Sequence, residues 1–271
     1  MGKIVANSMQ HILSLSYGKD SLACLGAIEK LGLPLDRIIT AEVWATDTIP
    51  ADLPPMVEFK AKADEIIRKR WGITVEHVSA GRTYEQCFYS ICGIHRKNAK
   101  SKHAGEIYGF PYRCGAWCNS RLKVAALSKV PKGAIQYWGI AADEPERIAR
   151  HSTKQNIILP LAQIGWTEVD CRKWCEENDL LSPIYTTATR GGCWFCHNQS
   201  VNQLRLLRKN YPGYWALLLK WDDDSPAIFN HGHTVHDFDR RFQLEDEGFL
   251  SADDKIFHWS MLDDELNYRW F

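Results

Sequence analysis

Long apolar runs are missing from this chain. Residues 134–142 form one of the longest and Gln136 interrupts it, so no membrane span and no membrane partner is expected. Neither sign of charge is in excess: Lys plus Arg and Asp plus Glu both number 33. That balance excludes an acidic disordered chain and a protein that coats nucleic acid by bulk charge, but not a local basic site. The opening residues, Met-Gly-Lys-Ile-Val-Ala-Asn-Ser, lack a basic stretch followed by an apolar one, and Ala6 stands where a myristoylation motif needs Ser or Thr. The chain therefore reads as cytoplasmic. Internal repeats and low-complexity linkers are absent, and no cysteine follows Cys196.

Cysteine and tryptophan are plentiful instead, at nine and eleven of 271 residues. In a reducing compartment such cysteines are thiols or metal ligands rather than disulfides, and an odd count leaves one unpaired in any pairing scheme. The length predicts one large domain or two small ones. Strands are expected over 11–15, 37–46, 73–78 and 135–140, where short runs rich in Ile, Val and Leu occur. Helices are expected over 22–31, stopped by Gly32, over 56–71, over 121–130, and from Thr167 as N-cap to about residue 180. The alternation predicts an α/β domain with a doubly wound, mostly parallel sheet. It should span 1–200, followed over 201–271 by a small, aromatic, mainly helical C-terminal region packed by Trp215, Trp221, Trp259 and Trp270.

Between the first strand and helix lies Ser16-Tyr17-Gly18-Lys19-Asp20-Ser21. A helix N-terminus presents unpaired N–H groups and the positive end of its dipole, so an anion is stabilised there. Gly18 allows close approach, Lys19 adds a charge, and Ser16 and Ser21 add hydroxyls. A plain strand-to-helix turn, capped by Asp20 or Ser21, fits the same residues. The spacing is not that of the Walker loop.

The hexapeptide resembles the PP-loop of the adenine nucleotide α-hydrolase superfamily, usually Ser-Gly-Gly-Lys-Asp-Ser, with Tyr17 in place of the first Gly. Further segments are similar to the phosphoadenosine phosphosulfate (PAPS) reductase family. Cys118-Asn-Ser-Arg-Leu-Lys123 matches its Cys-x-x-x-x-Lys segment, and Gly139-Ile-Ala-Ala-Asp-Glu-Pro-Glu-Arg147 its Gly-x-Arg-x-Asp-Glu-Ser-x-x-Arg segment, with Ala141 where Arg is common. Pro160-Leu161, Trp166-Thr-Glu-Val-Asp170, Pro183-Ile-Tyr185 and Gly192-Cys-Trp-Phe-Cys196 follow in the family's order. The resemblance implies a Rossmann-like sheet with ATP or a sulfonucleotide (PAPS or APS) held by Ser16, Tyr17, Gly18, Lys19, Asp20, Ser21, Thr46, Asp47, Gly139, Asp143, Glu144 and Arg147. It implies catalytic roles for Lys19, Asp20, Arg121 and Lys123, and Mg²⁺ on Asp20 or Asp47. For Thr46 and Asp47, the rule that open α/β sheets bind ligands beyond their strand C-termini points the same way, with a solvated turn as the alternative.

Cys114-Gly-Ala-Trp-Cys118 and Cys193-Trp-Phe-Cys196 are two spaced pairs that supply four thiolates, enough for tetrahedral Zn²⁺ or an iron–sulfur cluster. Buried hydrophobic pairs or a redox Cys-x-x-Cys are the alternatives. Some members of the resembled family bind a four-iron four-sulfur ([4Fe-4S]) cluster through such pairs, their first pair being adjacent, so the resemblance favours that cluster over zinc. Cys24, Cys171 and Cys175 read as core, while Cys87 and Cys92 are open.

Sulfonucleotide reductases of the family carry a nucleophilic cysteine in a C-terminal Glu-Cys-Gly-Leu/Ile-His tail. Here only Ile91-Cys-Gly-Ile-His95 has a similar string, earlier in the chain. The leading expectation is therefore ATP cleavage between the α and β phosphates, adenylylating an acceptor in sulfur transfer or nucleic-acid modification. That activity would call on a sulfur donor or a nucleic-acid substrate. The first alternative is a sulfonucleotide reductase releasing sulfite with a thiol reductant protein. The second is a non-catalytic nucleotide-binding or DNA-binding module. The basic run of His95, Arg96, Lys97, Lys100, Lys102 and His103 is either a phosphate contact or a solvated loop. His231, His233 and His236 with Asp237 are either a metal site or a surface loop.

Overall fold

The computed structural model describes residues 9–93, 104–111, 116–131, 133–186, 191–230 and 232–262. The chain divides into two compact units, Met1–Thr83 with Asn119–Gly191, and Tyr84–Cys118 with Gly192–Phe271. The boundary expected at residue 200 thus lies near 191, and the 84–118 segment joins the C-terminal unit. The reason is aromatic. Phe88 stacks on Trp221 at 5.9 Å and Phe110 meets Phe229 edge-on at 5.0 Å, contacts that no local pattern foretells.

The first unit begins with β1 (His11–Ser14), α1 (Lys19–Leu31), β2 (Arg37–Ala41), α2 (Pro54–Trp71) and β3 (Val75–Val78). After α3 (Tyr84–Phe88), which belongs to the second unit, it resumes with a π-helical turn (Asn119–Val124), α4 (Ala125–Leu127) and β4 (Ile135–Tyr137). It continues through α5 (Pro145–His151), β5 (Ile157–Ile158), α6 (Pro160–Gln163), α7 (Glu168–Glu177) and a 3₁₀ turn (Pro183–Thr186). The five strands form a sheet in the order β3-β2-β1-β4-β5, every pairing parallel, with Ile12 opposite Arg37 on one side and Gln136 on the other. This is the α/β, Rossmann-like architecture expected.

Strand residues alternate between faces. Leu13, Leu15 and Ile38 join one core with residues of α1, α2 and α7, while Ile12 and Ile39 join another with Ala134, Leu127 and Val130. The sheet is therefore covered on both faces, which is why its strands read as continuous apolar runs. Cys24, Cys171 and Cys175 are fully buried in the larger core, as read from their helical spacing. Burial pushes the Cys175 thiol up to about 12, so it is not a nucleophile at neutral pH.

Helix ends follow local chemistry. Gly32 and Gly72 close α1 and α2 in the left-handed conformation. Thr167 caps α7 through a reciprocal box with Asp170, the N-cap that the sequence marks. The helix expected over 121–130 is instead a π-helical turn followed by one short α-helical turn.

The second unit adds α8 (Val201–Asn210), α9 (Pro212–Asp224) and α10 (Val235–Asp246) to α3. Its C-terminal part is helical, with Trp215 and Trp221 buried, as expected; Trp270 lies outside the described residues. No helix among the described residues is long and apolar enough to cross a membrane.

Candidate functional site

Between β1 and α1 the chain folds on itself through two serines. The Ser16 N–H and hydroxyl donate to Ser21 Oγ at 3.1 and 3.0 Å, and the Ser21 hydroxyl donates to the Gly18 carbonyl at 3.0 Å. Both hydroxyls stitch the loop rather than point their protons outward. Gly18 is the N-cap of α1 with extended backbone and no side-chain cap. The left-handed turn falls on Tyr17 instead, at φ +56°. A β-carbon in that region costs roughly 1–2 kcal/mol. Tyr17 sits there because its ring is fully buried in the core, with the hydroxyl donating to Asp64 and 3.2 Å from His77 Nε2. Burial first, then the Asp64 hydrogen bond, hold that hydroxyl protonated far above the ordinary tyrosine range.

Helix α1 starts three residues earlier than its apolar periodicity suggests, so Lys19 and Asp20 lie in its first turn. The Lys19 N–H donates to the Tyr185 hydroxyl at 3.0 Å. Its ammonium bridges Asp20 at 2.9 Å and Glu168 at 2.8 Å. Burial works against that charge, but the hydrogen bonds to Glu168 and Asp20 outweigh it and raise the Lys19 pKa above the ordinary lysine range. Burial raises the Asp20 carboxyl, Lys19 opposes this, and the charges of Glu168 and Glu144 add to it.

The segment after β4 reaches the same place. A β-carbon on Gly139 would stand 2.5 Å from the Asp20 carbonyl oxygen and 2.7 Å from Ser21 Cα, so only glycine lets these backbones touch. Glu168, the first residue of α7, donates its N–H to the Asp143 carboxylate at 3.1 Å, and the Ala141 N–H donates to Glu144 at 3.1 Å. Glu144 in turn pairs with Arg147. The structure thus gathers Ser16, Gly18, Lys19, Asp20, Ser21, Gly139, Asp143 and Glu144, with Arg147 at the edge. Glu168 and Tyr185 belong to the group as well. Sequence reasoning passed over both, although each stands in a segment that carried the family resemblance.

Thr46 closes a turn beyond β2, its Oγ1 accepting from the Thr48 and Ile49 N–H groups at 3.3 and 3.1 Å, and Asp47 is exposed on that turn. Arg121 is half-buried and Lys123 exposed on the π-helical turn. No ion pair or hydrogen bond among the described residues joins Lys123 to the loop.

In the second unit, Cys193–Cys196 is a tight turn. The Cys196 N–H donates to the Cys193 carbonyl at 3.0 Å, and Gln199 Nε2 donates to the same oxygen at 2.8 Å. Trp194 and Phe195 are buried, Trp194 stacking on Trp221 at 5.6 Å. Cys118 follows Trp117, whose indole donates to the Gly109 carbonyl at 3.2 Å. No disulfide joins the described cysteines. Cys114 lies outside the described residues, and among those described no group of three or more His, Cys, Asp or Glu side chains is arranged to hold a metal ion.

The basic run at 95–102, with His103, and His231 also lie outside the described residues. His233 stacks on Trp259 at 3.6 Å, and His236 pairs with Asp223 at 2.7 Å. Asp237 completes the capping box of α10 with Thr234.

No family model matches the chain. No solved structure matches it either. Among curated proteins it is similar to the uncharacterized nin region protein ORF290 of Escherichia phage lambda, with 31 % identity over 114 residues, 39 % of this chain and 37 % of the phage protein. The chain thus spans little more than a third of the length of the curated relative it matches.

Proposed function

We propose that this chain is an adenine nucleotide-binding enzyme of the PAPS reductase type that cleaves ATP between its α and β phosphates. The observation that carries the reading is the place of the 16–21 loop. It leaves β1, which pairs with β2 on one side and β4 on the other, so the strand order reverses there. In open α/β sheets ligands bind at such a switch point, beyond the strand C-termini. The N-terminus of α1 and the Lys19 ammonium offer an anion its complement there.

The chemistry follows from the residues present. An acceptor oxygen attacks the α phosphorus, the bond to the bridging oxygen breaks, and pyrophosphate leaves. Lys19 exchanges one of its carboxylate partners for a phosphate oxygen and stabilises the charge that grows as that bond breaks. Arg147, Arg121 and Lys123 are the further cations of the resembled family. A sulfur or nitrogen nucleophile then displaces AMP from the acceptor. Asp20 and Asp47 are the carboxylates for Mg²⁺.

In the second unit, Cys118, Cys193 and Cys196, with Cys114, form a thiolate centre for a [4Fe-4S] cluster, zinc being the alternative. The Cys193–Cys196 turn supports this reading, since a backbone hydrogen bond and the Gln199 side chain hold a short loop that carries two thiols. Such a centre would carry or activate sulfur.

The test uses the full chain purified without oxygen. ATP binding with pyrophosphate release, both lost in Lys19→Ala, is the expected result, together with brown protein containing iron. Absence of ATP binding overturns the nucleotide reading. Sulfite release from PAPS or APS, abolished in Cys92→Ser, would favour a reductase, and binding without turnover would favour a sensing module.

A further inference from the structure

Tyr17 holds the left-handed backbone, at φ +56°, without being glycine. Such a residue persists only where its surroundings over-determine it. The cluster that does so shares no residue with the clasp around Lys19. The Tyr17 hydroxyl donates to Asp64 of α2 and lies 3.2 Å from Nε2 of His77 in β3. That same His77 nitrogen is 2.8 Å from the second Asp64 oxygen. Its other nitrogen, Nδ1, is 3.6 Å from Glu42, the residue after β2. The His77 ring therefore faces a carboxylate at each nitrogen, and only the imidazolium offers an N–H to both. A neutral ring leaves one carboxylate facing a bare lone pair, and the bond it keeps is no longer strengthened by a positive charge. The Asp64 hydrogen bond raises the His77 pKa above the ordinary 6.5, with burial opposing it and the Glu42 charge adding to it. Lys60, also of α2, opposes that proton, but it lies 5.1 Å over the Tyr17 ring and is itself paired with Asp52. The His77 side chain is 31 % exposed, so its proton exchanges with water.

We infer that the His77 proton is a latch on the 16–21 loop: with it in place Tyr17 stays seated and the loop keeps its anion-binding shape, and without it nucleotide affinity falls. The inference rests on the nucleotide reading above and adds its regulation by pH. Tyr17 is the link, because it stands between Ser16 and Gly18, and Gly18 is the N-cap of α1. Loosening its hydroxyl lets the strained backbone relax, and the Gly18–Lys19 peptide moves with it. The sign follows from linkage. The nucleotide-bound form holds the proton more tightly, so affinity is greatest below the His77 pKa and falls as pH rises through it.

The test measures binding of magnesium ATP to the full-length chain by calorimetry between about pH 6 and about pH 9, and follows the Gly18 and Lys19 amide resonances over the same range. Wild-type affinity should fall about tenfold, the factor that a coupling of one pKa unit carries. The two amide shifts should track the titration of His77. His77→Gln has no proton to lose, so its affinity should stay flat and its amides still. Tyr17→Phe keeps the ring but lacks the hydroxyl. In it His77 should still titrate, while affinity and loop amides no longer follow. That outcome separates a latch acting through Tyr17 from a plain charge effect, and either variant serves where the other fails to fold. Constant wild-type affinity across the range, or a wild-type slope kept in either variant, overturns the latch. Absence of ATP binding at every pH overturns the nucleotide reading instead. The amide shifts then decide the latch alone, and shifts that ignore His77 overturn it.

Discussion

Tyr17 stands where the PP-loop that residues 16–21 resemble has glycine, and it adopts the left-handed backbone that favours glycine. Restoring the glycine therefore removes backbone strain but also deletes a buried ring and leaves Asp64 and His77 without their hydroxyl partner. Strain relief of about 1–2 kcal/mol is smaller than the roughly 3–5 kcal/mol lost when a large buried aromatic is deleted. Tyr17→Gly should thus lower stability by a few kcal/mol in urea unfolding; a gain would show that the ring contributes little. His77 provides a pH test. Its hydrogen bond to Asp64 raises its pKa above the ordinary 6.5, against the effect of burial. The stability this gives is fully present below pH about 6.5 and is lost as pH rises through the raised value. Unfolding free energy should fall over that interval in the wild type and less in His77→Gln. None of this was legible in the sequence, because Tyr17 meets Asp64 and His77 only after α2 has packed on the sheet and β3 has paired with β2. Lys19 and Asp20 were legible, since strand, polar turn and helix follow one another locally.

Elements were read well where the apolar pattern is strong and poorly where polar residues open a helix. The start of α1 was placed three residues late because Lys19, Asp20 and Ser21 read as loop. Only the backbone shows that they form its first turn, against which Gly139 presses. Gly139→Ala should separate the end of β4 from α1. Overpacking of this kind costs about 1–3 kcal/mol, and here the obstructing atoms are backbone that cannot rotate away. The expected outcome is a lower melting temperature together with loss of the proposed ATP binding. Gly18→Ala is the control for stability alone, since its β-carbon would meet only the Tyr185 hydroxyl at 3.4 Å and the Ser16 hydroxyl at 3.6 Å. Glu168 escaped notice for a related reason: as the first residue of α7 it reads as an ordinary dipole-complementing acid. Its ion pair with Lys19 exists because α7 packs beside α1.

Across the whole molecule the two units are interleaved in sequence, because the second takes Tyr84–Cys118 as well as Gly192–Phe271. Composition gave no warning of this, since the aromatic excess of the C-terminal region looks self-sufficient until Phe88 and Phe110 are seen against Trp221 and Phe229. A chain cut after residue 200 should therefore not behave as an intact domain. Its 84–118 segment would expose Tyr84, Phe88 and Phe110, all buried in the full chain. Limited proteolysis should cleave beside Tyr84, Phe88 and Phe110 in the truncated protein and spare those positions in the full one; equal protection would show that these residues pack without the C-terminal helices.

The clasp around Lys19 has a consequence for the solution around it. One ammonium held by two carboxylates carries a net negative charge, so the ligand-free loop works as an ion exchanger already loaded with its own counter-ions. A small anion such as inorganic phosphate meets Asp20 and Glu168 before it meets free positive charge, and calorimetry should find it bound weakly or not at all. A polyphosphate that arrives with its own cation brings the charge needed to release the carboxylates. The loop would then discriminate by whether an anion travels alone or escorted.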